Sequence, residues 1–294
     1  NFPDIPVSFN IDETTLAIEI TTGEGRYKMV GHKSDEFPQV PAIAEPSVWD
    51  IPADVLACGF EKTIFAAGND EIRPIMTGVF MAMSDSCLTF VATDAHKLVR
   101  YRRMDVKSDT AASFIVPKKP INQLKNILAG RADEPVHVEF NNTNASFTFG
   151  EYKLICRLIE GRYPNYNSVI PQNNPNQLTV DRLGLLAALR RVQPFANDSS
   201  NLIRFHVEGG TLQLDAEDYD FSKTATERMA CQYDGQPMSI GFKGSSFIEI
   251  LNNFDCTDVL IQLADPSRAG LVLPSEQPEN QDVLMLMMPM LIND

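Results

Sequence analysis

Alternating apolar and polar residues recur in three long segments of the chain. The segments begin at Val7, Val136 and Val259, and each reads as three short strands joined by turns that contain Asn, Asp or Gly. Alternation of this kind gives a strand one buried and one exposed face. The starting points lie 129 and 123 residues apart (136 − 7 and 259 − 136). The repeating unit therefore has the size of a domain and is too long for a solenoid.

Apolar residues at helical spacing lie between these segments. The spacing predicts four helices, with apolar stripes at Leu56/Phe60/Ile64, Ile121/Leu124/Leu128, Leu185/Leu189/Val192 and Phe247/Leu251/Phe254. Pro52 is placed at the start of the first helix, Gly130 after the second, and Asp181 and Pro194 at the two ends of the third. Each complete unit reads helix, strands, helix, strands, which predicts an α+β domain made of two similar halves.

The first unit is shorter than the second. The second unit has 85 residues ahead of its Val136 strand (136 − 51), whereas the first has six ahead of Val7, and the chain starts with Asn. The repeat arithmetic predicts that about 80 residues of a first domain are missing. We therefore expect residues 1–47 to be the carboxyl-terminal half of a first domain, 48–172 to be a second domain and 173–294 a third.

Composition narrows the possible function classes. The 294 residues are 44% hydrophobic, which suits two or three domains with cores, and no apolar run is long enough to span a membrane. The five cysteines are scattered and form no C-x-x-C pair. This favours reduced thiols in a cytoplasmic protein over zinc or a disulfide framework. We expect no metal and no cofactor.

The net charge of −14 repels nucleic acid when it is averaged over the surface, so a DNA-binding surface requires local clustering of positive charge. Residues 117–131 hold four basic residues and no acid: Lys118, Lys119, Lys125 and Arg131. On a helix, Lys118 and Lys125 share one face with Asn122. Most such runs are solvated helix faces. In so acidic a protein, the absence of any acid makes this helix a candidate DNA surface.

The stretch "FVATDAHKLVRYRR", residues 90–103, combines Asp94, His96 and a group of basic residues. In a strand, Asp94 and His96 would lie on one face, where the carboxylate could orient the imidazole as a general base. The alternative is that they tie down a turn at the end of a strand. The equivalent stretch of the third unit, "LQLDAEDYDF", places Asp220 where the second has His96. A function of the histidine would therefore belong to the second unit alone.

Two further hypotheses stand beside a binding function. A hydrolase would use Asp94 and His96, with metal ligands drawn from the acids Asp215, Glu217, Asp218 and Asp220. That cluster lacks the spacing and the Gly of an EF-hand, and no recognisable nucleophile elbow is present. The other hypothesis is a β-rich scaffold with no affinity for peptides or duplex DNA.

Four ordered motifs resemble the bacterial DNA polymerase III β subunit, the sliding clamp. "VATDAHKL" resembles the family's V-A-T-D-G-H-R-L, and "FIVPKKPINQL" resembles V-I-V-P-R-K-x-x-x-x-L. "EGRYPNYNSVIP" resembles D-G-R-F-P-D-Y-x-x-V-[LI]-P, and "LMLMMPMLI" resembles V-V-M-P-M-R-L. The resemblance covers residues 7–294. It implies the DNA clamp fold, in which repeated α+β domains each pack two helices on antiparallel sheets.

The resemblance also implies a hydrophobic groove between the second and third domains, where linear peptides of partner proteins dock. The matching positions are Met76, Thr93, Ala95, His96, Lys97, Leu98, Pro164, Val169, Leu286, Met288, Pro289 and Met290. Several methionines suit a pocket that adapts to many partners. By itself, the stretch "LMLMMPM" reads more often as a buried strand, but Pro289 indicates a strand edge or end.

By the same resemblance, the protein is a non-enzymatic processivity factor that encircles duplex DNA as a head-to-tail homodimer. Its expected partners are DNA, bound without sequence preference, the polymerase III alpha subunit, the clamp loader, and other polymerases and repair proteins. The positions expected to face DNA are Arg73, Lys118, Lys119, Lys125, Arg190 and Arg191. The positions expected at the dimer interface are Arg26, Tyr27, Met29, Pro194 and Phe195. Pro194 and Phe195 could equally cap the core at a helix end.

Overall fold

The computed structural model describes residues 4–37, 39, 42–70, 72–131 and 134–292. The chain forms two compact bodies, Asn1–Ala42 and Ile43–Asp294. The described part of the first body is an antiparallel sheet of three strands in sequence order, β1 (Ser8–Asp12), β2 (Ala17–Thr22) and β3 (Gly25–Val30). These strands are the three that the first alternating segment predicts.

The second body begins with a run of eight strands and two helices. They are β4 (Ser47–Pro52), α1 (Ala53–Thr63), β5 (Gly78–Met83), β6 (Leu88–Thr93), β7 (Lys97–Arg103), β8 (Ala112–Pro117), α2 (Lys118–Leu128), β9 (Pro135–Phe140), β10 (Asn144–Phe149) and β11 (Tyr152–Arg157). The order is the one that the sequence predicts, with strands both between and after the helices.

The same order returns in the rest of this body, with one short strand added. The elements are β12 (Asn176–Asp181), α3 (Arg182–Val192), β13 (Leu202–Glu208), β14 (Thr211–Asp218), β15 (Lys223–Ala230), β16 (Gln232–Asp234), β17 (Met238–Lys243), α4 (Gly244–Asn252), β18 (Asp258–Leu263), β19 (Gly270–Pro274) and β20 (Gln281–Met287). The internal repeat is thereby confirmed.

The helix ends follow local chemistry. The side chain of Asp181 accepts a hydrogen bond from the backbone N–H of Gly184 at 2.6 Å, so Asp181 is the predicted N-cap of α3. α3 ends at Val192, two residues before Pro194. α2 ends at Leu128, and Gly130 follows with a φ of +79°, a conformation in which glycine is favoured.

A nine-stranded antiparallel sheet joins the two repeats of the second body. Its order is β16–β12–β18–β19–β20–β7–β6–β5–β8, so the later strands of the second repeat continue into the earlier strands of the first. The junction is the pairing of β20 with β7, which runs in register from Gln281 opposite Arg103 to Met287 opposite Lys97. Two four-stranded sheets flank it, β11–β10–β9–β4 and β15–β14–β13–β17.

The nine-stranded sheet has a buried apolar cluster on each face. The helices pack on one face, where the core contains Val99 and Met285 together with the apolar stripes of all four helices. A smaller cluster on the other face contains Leu98 and Leu286, with Tyr163 and Ile170 from the segment that follows β11. Successive residues of a strand point to opposite faces. β7 and β20 therefore contribute to both clusters.

Candidate functional site

The start of β7 and the end of β20 meet at the junction between the two repeats. Leu98 lies opposite Leu286, and Lys97 lies opposite Met287. β20 ends there, and the backbone N–H of Met288 donates to the carbonyl oxygen of His96 at 2.8 Å. Residues 188 positions apart (286 − 98) are therefore brought side by side, and the predicted strand end before Pro289 is confirmed.

The turn between β6 and β7 is held by side-chain hydrogen bonds. Asp94 Oδ1 accepts from the backbone N–H groups of His96 and Lys97, each at 2.9 Å. Thr93 Oγ1 donates to the carbonyl oxygen of Lys97 at 2.7 Å and accepts from the N–H of Ala95 at 3.0 Å. Ala95 has a φ of +76°, which an L-residue adopts at a cost. The hydrogen bonds therefore fix a turn that its sequence alone disfavours.

The strand arrangement expected of Asp94 and His96 is wrong. β6 ends at Thr93, so the two residues lie in a turn and not on one face of a strand. The Asp94 carboxylate binds the His96 backbone through one oxygen, while its other oxygen is 2.8 Å from Lys97 Nζ. A carboxylate engaged in this way ties down the turn, as the alternative interpretation predicted.

Three apolar residues of the predicted groove, Leu98, Leu286 and Met288, meet beside this turn. Leu98 and Leu286 are buried in the smaller cluster, where Ile75 also packs. Met76, Pro164 and Val169 are each next in sequence to a residue of that cluster, respectively Ile75, Tyr163 and Ile170. Ala95, His96, Val169 and Met288 are exposed, whereas Met76, Pro164, Pro289 and Met290 are half-buried. The exposed residues His96 and Met288 lie at the end of the β7–β20 pair, next to the buried pair Leu98 and Leu286.

A cavity of about 480 Å³ adjoins this cluster. Phe80, Ile115, Tyr163 and Pro164 contribute to its lining, and the rings of Phe80 and Tyr163 stack with centroids 4.7 Å apart. Burial raises the pKa of the Tyr163 hydroxyl above its ordinary value. The phenol is therefore neutral at physiological pH and acts here as an aromatic wall.

The side chain of Lys97 is directed away from the Leu98 floor. Its ammonium lies 2.8 Å from Asp94 Oδ2 and 3.0 Å from Glu249 Oε2 on α4, and only 8% of the side chain is exposed. Burial acts to lower the pKa of Lys97, but the hydrogen bonds and charges of Asp94 and Glu249 offset it and raise the pKa. Lys97 is therefore charged and fully engaged inside the protein.

Two further ion pairs close the junction, and sequence reasoning missed them. Arg100 and Arg102 on β7 both bind Asp282 on β20. Burial acts to raise the pKa of the Asp282 carboxyl, but the two guanidinium groups outweigh it and lower the pKa. Lys97, Arg100 and Arg102 thus pair with acids of the second repeat, whereas Arg103 pairs with Asp105 of the first. The local sequence indicated only that Arg100 and Arg102 share a strand face with Leu98, because they follow it by two and four residues. It did not indicate their partner.

The basic residues of the predicted DNA surface have different environments. Lys118 Nζ donates to the carbonyl oxygen of Ala67 at 2.8 Å and to Asn69 Oδ1 at 2.6 Å. Lys119 is exposed and Lys125 is half-buried, while Ile121, Leu124 and Leu128 are turned into the core as predicted. Within the described parts of the chain, Lys119 and Lys125 have no ion pair. Lys118 has no ion pair there either, since both of its hydrogen-bond partners are neutral oxygens.

The three arginines predicted for the same surface are already engaged. Arg73 Nε is 3.0 Å from Asp70 Oδ2, and Arg190 Nη2 donates to Asn252 Oδ1 at 3.0 Å. Arg191 forms an ion pair with Glu227 on β15. A carboxylate partner offsets part of the charge of Arg73 and Arg191, whereas Arg190 binds a neutral amide.

The acids that the hydrolase hypothesis would use as ligands bind protein groups separately. Asp215 Oδ1 accepts from the hydroxyl of Thr226 at 2.7 Å, and both Asp215 oxygens accept from the amide of Gln213. Asp218 Oδ1 accepts from the N–H of Asp220 at 3.1 Å. Hydrogen bonds of this kind stabilise strands and turns, and they engage Asp215 and Asp218 with separate partners.

The residues predicted at a subunit interface are exposed within their own bodies. In the first body, Tyr27 and Met29 on the edge strand β3 are 46% and 51% exposed, and Arg26 forms an ion pair with Glu19 on β2. In the second body, Phe195 is 40% exposed and lies with Pro194 in a 3₁₀ turn directly after α3. Phe195 thus keeps a large part of its ring exposed at the end of α3.

No helix among the described residues is long and apolar enough to cross a membrane.

Models of two consecutive protein domains match the chain. The central domain of the DNA polymerase III beta subunit matches residues 50–165, and its C-terminal domain matches residues 167–291. The beta sliding clamp of Synechococcus elongatus is 30% identical over 260 residues, which is 86% of this chain and 68% of that protein. The beta sliding clamp of Bacillus subtilis is 25% identical over 98% of this chain and 75% of its own length.

Solved structures of sliding clamps share the fold. A clamp from Pseudomonas aeruginosa bound to griselimycin superimposes with a TM-score of 0.91 at 24% identity, covering 99% of this chain and 78% of that one. A clamp from Bartonella birtlesii, also bound to griselimycin, gives a TM-score of 0.90 at 25% identity, covering 98% and 78%. On the matched domains, the identity to curated clamps and the shared fold, the chain belongs to the DNA polymerase III beta subunit family, the beta sliding clamps.

Proposed function

We propose that this chain encircles duplex DNA as part of a ring-shaped homodimer and tethers the replicative polymerase and other proteins through a groove beside the β6–β7 turn. As a sliding clamp it is a processivity factor of DNA polymerase III and has no catalysis of its own. The observation that carries the groove is the β7–β20 junction, which assembles Leu98, Leu286 and the Met288 segment around one turn.

We propose the domain division at residues 1–47, 48–172 and 173–294. The repeated element order supports it, since β4 to β11 and β12 to β20 follow the same sequence of helices and strands. The groove then lies where the last strand of the third domain pairs with the second domain. Such a site is shared between two domains, as ligand sites often are.

The occupants of the groove are linear peptide segments of the polymerase III alpha subunit, the clamp loader, other polymerases and repair proteins. The chemistry supports apolar peptide side chains as anchors, since Met288 and Val169 are exposed and Leu98 and Leu286 form a buried apolar pair. Methionine adapts its shape to different ligands. The griselimycin-bound clamps support a ligand-accepting groove in this family.

The groove is tested by fluorescence polarisation with a labelled peptide of the Q-L-x-L-F type. We expect saturable binding by the protein and a loss of at least about tenfold in affinity for the His96→Ala/Met288→Ala variant, since each residue of a small interface hot spot contributes about 1 kcal/mol or more. Both side chains are exposed, so the variant keeps the core. Equal affinity of the two proteins would remove these residues from the groove.

DNA lies against the helix layer, with Lys118, Lys119 and Lys125 of α2 as contacts and Arg73, Arg190 and Arg191 nearby in the same role. The local excess of positive charge on α2 supports this assignment in a chain with a net charge of −14. The contacts are made to phosphate and are indifferent to sequence. Such binding is weak and depends steeply on salt.

The DNA surface is tested by titrating a duplex at several salt concentrations. Replacing Lys118, Lys119 and Lys125 with Ala is expected to lower the slope of log K against log salt by about 2 to 3, because each phosphate that a lysine no longer neutralises reduces the slope by about 0.9. The matched control replaces the exposed lysines Lys33, Lys107 and Lys153, which lie outside the four α-helices. A control variant with the same decrease in slope would show that only net charge matters.

The dimer uses Arg26, Tyr27 and Met29 of one subunit and Pro194 and Phe195 of the other. The exposed apolar side chains in both sets support a heterologous interface, which closes into a ring when the rotation is right. Sedimentation of Tyr27→Ala and Phe195→Ala variants is expected to show a shift toward monomer. We also propose a cytoplasmic location, which the role of sliding clamps in DNA replication supports.

A further inference from the structure

The junction contains a buried ion cluster that extends from the groove turn to the helix layer. Lys97 Nζ bridges Asp94 in the turn, at 2.8 Å, and Glu249 on α4, at 3.0 Å. The Lys97 side chain is 8% exposed, whereas the Glu249 side chain is 52% exposed. Because Lys97 and Leu98 are consecutive strand residues, Lys97 projects to the helix side of the sheet while Leu98 forms the groove floor.

The electrostatics hold Lys97 in place. A buried ammonium is costly unless it is paired and hydrogen-bonded, and removing one of its partners leaves a charge that is only partly compensated. Lys118, at the start of α2, is close enough to repel Lys97 and to be attracted by the two acids, and its pKa is lowered mainly by burial and further by Lys97. The two acids are therefore needed to keep the ammonium at this position.

The cluster is connected to the groove by backbone hydrogen bonds. Asp94 accepts from the N–H groups of His96 and Lys97, and the carbonyl oxygen of His96 accepts from the N–H of Met288 at 2.8 Å. An unbroken set of contacts thus runs from Glu249 through Lys97, Asp94 and His96 to Met288. A shift of the ammonium would move the turn and the segment of residues 288–290 that it binds.

We propose that Lys97 and Glu249 are positioning residues of the peptide groove, and that Glu249, which lies on α4 outside the groove, sets its affinity through Lys97. This inference rests on the proposed groove. Family resemblance would make Lys97 a wall of the groove. In the structure, the Lys97 ammonium instead binds Asp94 and Glu249 inside the protein. Lys97 therefore affects peptide affinity through the conformation of the turn.

The experiment is a double-mutant cycle on the affinity of the labelled Q-L-x-L-F peptide for the full chain. Lys97→Met keeps the alkyl stem and removes the charge, and Glu249→Gln changes an exposed group with little loss of packing. We expect Glu249→Gln to weaken binding about fivefold and Lys97→Met about tenfold or more, as coupled interactions of about 1 kcal/mol or more produce. The double variant is expected to be no weaker than Lys97→Met, and Lys97→Arg to recover most of the affinity.

Glu61→Gln is the matched control, because Glu61 is an exposed carboxylate on another helix, α1. Its affinity is expected to equal that of the unmodified protein. Hydrogen exchange at the amides of His96 and Met288 is a second measurement, and it should accelerate in Glu249→Gln but not in Glu61→Gln.

Three results would overturn the positioning role. Unchanged affinity of Glu249→Gln, with binding still weakened in His96→Ala/Met288→Ala, would support the groove and show that Glu249 does not affect it. Strictly additive losses in Lys97→Met and Glu249→Gln would show that Lys97 contacts the peptide directly. Failure of the unmodified, folded protein to bind the peptide would remove the groove itself, and the positioning role with it.

Discussion

The turn after β6 and the turn after β14 occupy equivalent positions in the two repeats, and an Asp stands at the same point of each. Asp94 accepts from the N–H of His96 at 2.9 Å, and Asp218 accepts from the N–H of Asp220 at 3.1 Å. Both repeats therefore use an Asp side chain to stabilise this turn. Asp94 thus has a counterpart in the other repeat, whereas His96 is replaced there by Asp220.

The two turns differ in what lies beyond them. Asp94 also binds the ammonium of Lys97, whereas Asp218 Oδ2 is buried without a partner among the described residues. β7 pairs with β20 of the other repeat from its first residue, while β15 is an edge strand of its own sheet. The Asp218 motif thus stabilises only its own turn, whereas the Asp94 motif also connects the two repeats.

The largest expected effect comes from removing each Asp in turn. Asp94→Ala is expected to lower the free energy of unfolding by about 3 kcal/mol, since it removes one of the two carboxylates that pair the buried Lys97 ammonium and frees two backbone N–H groups. Asp218→Ala is expected to cost about 1 kcal/mol, since it removes one turn hydrogen bond. Urea unfolding of the two variants measures the difference. Equal losses would mean that the Lys97 ion pair adds nothing.

The pH dependence of the free energy of unfolding distinguishes the contribution of the Asp94 charge from that of the other turn contacts. Burial acts to raise the pKa of Asp94, but the hydrogen bonds from Lys97 and from the backbone of Lys97 and His96 lower it below its ordinary value. A carboxyl whose pKa is depressed by folding contributes stability above its unfolded pKa of about 4, and this is lost as pH falls through the folded pKa. Lys97, Lys118 and Glu249 are the other charged groups around Asp94.

We therefore expect the stability difference between the unmodified protein and Asp94→Asn to be full at pH 7 and at pH 5, and to decrease below pH 4. Urea midpoints of the two proteins, measured in parallel at each pH, report this difference while cancelling the titration of the other acids. A difference that stays constant down to pH 3 would show that the Asp94 charge is not what stabilises the turn.

Much of the fold was predictable from local periodicity. Leu185, Leu189 and Val192 at helical spacing after Asp181 gave the position of α3, because a helix places every third or fourth residue on one face. The alternating segments gave the strands for the same geometric reason. Ala95 shows the limit of this approach, since the strand pattern extends through a turn that only its hydrogen bonds and positive φ reveal.

The site was less predictable, because its contacts join distant parts of the chain. Arg100 and Asp282 are 182 residues apart, and Lys97 and Glu249 are 152 apart (249 − 97). No local pattern links such residues, and Glu249 reads as one polar residue within the apolar run "FIEIL". Family resemblance supplied the groove positions, but it could not tell that the Lys97 side chain turns toward α4.

A smaller effect is expected from neutralising Asp218 while keeping its shape. Asp218→Asn retains an oxygen that can accept from Asp220, and it replaces a buried oxygen without a partner among the described residues by an amide. A buried group that is not fully paired adds no stability as a charge. We expect the free energy of unfolding to stay within about 1 kcal/mol or to rise. A decrease comparable to that of Asp94→Ala would reveal a partner of Asp218 and erase the contrast between the turns.

The smallest expected effect concerns the backbone of the two turns. Ala95 has a φ of +76° and Ser222 has a φ of +51°, in the region where L-residues are disfavoured. Glycine relieves that cost but adds freedom to the unfolded chain, so Ala95→Gly and Ser222→Gly are each expected to stabilise by at most about 1 kcal/mol. Peptide affinity should not change in either variant if the Asp94 and Thr93 hydrogen bonds fix the turn. An Ala95→Gly protein that is more stable but binds the peptide several-fold more weakly would show that the strained alanine, and not the ion cluster, keeps the groove in shape.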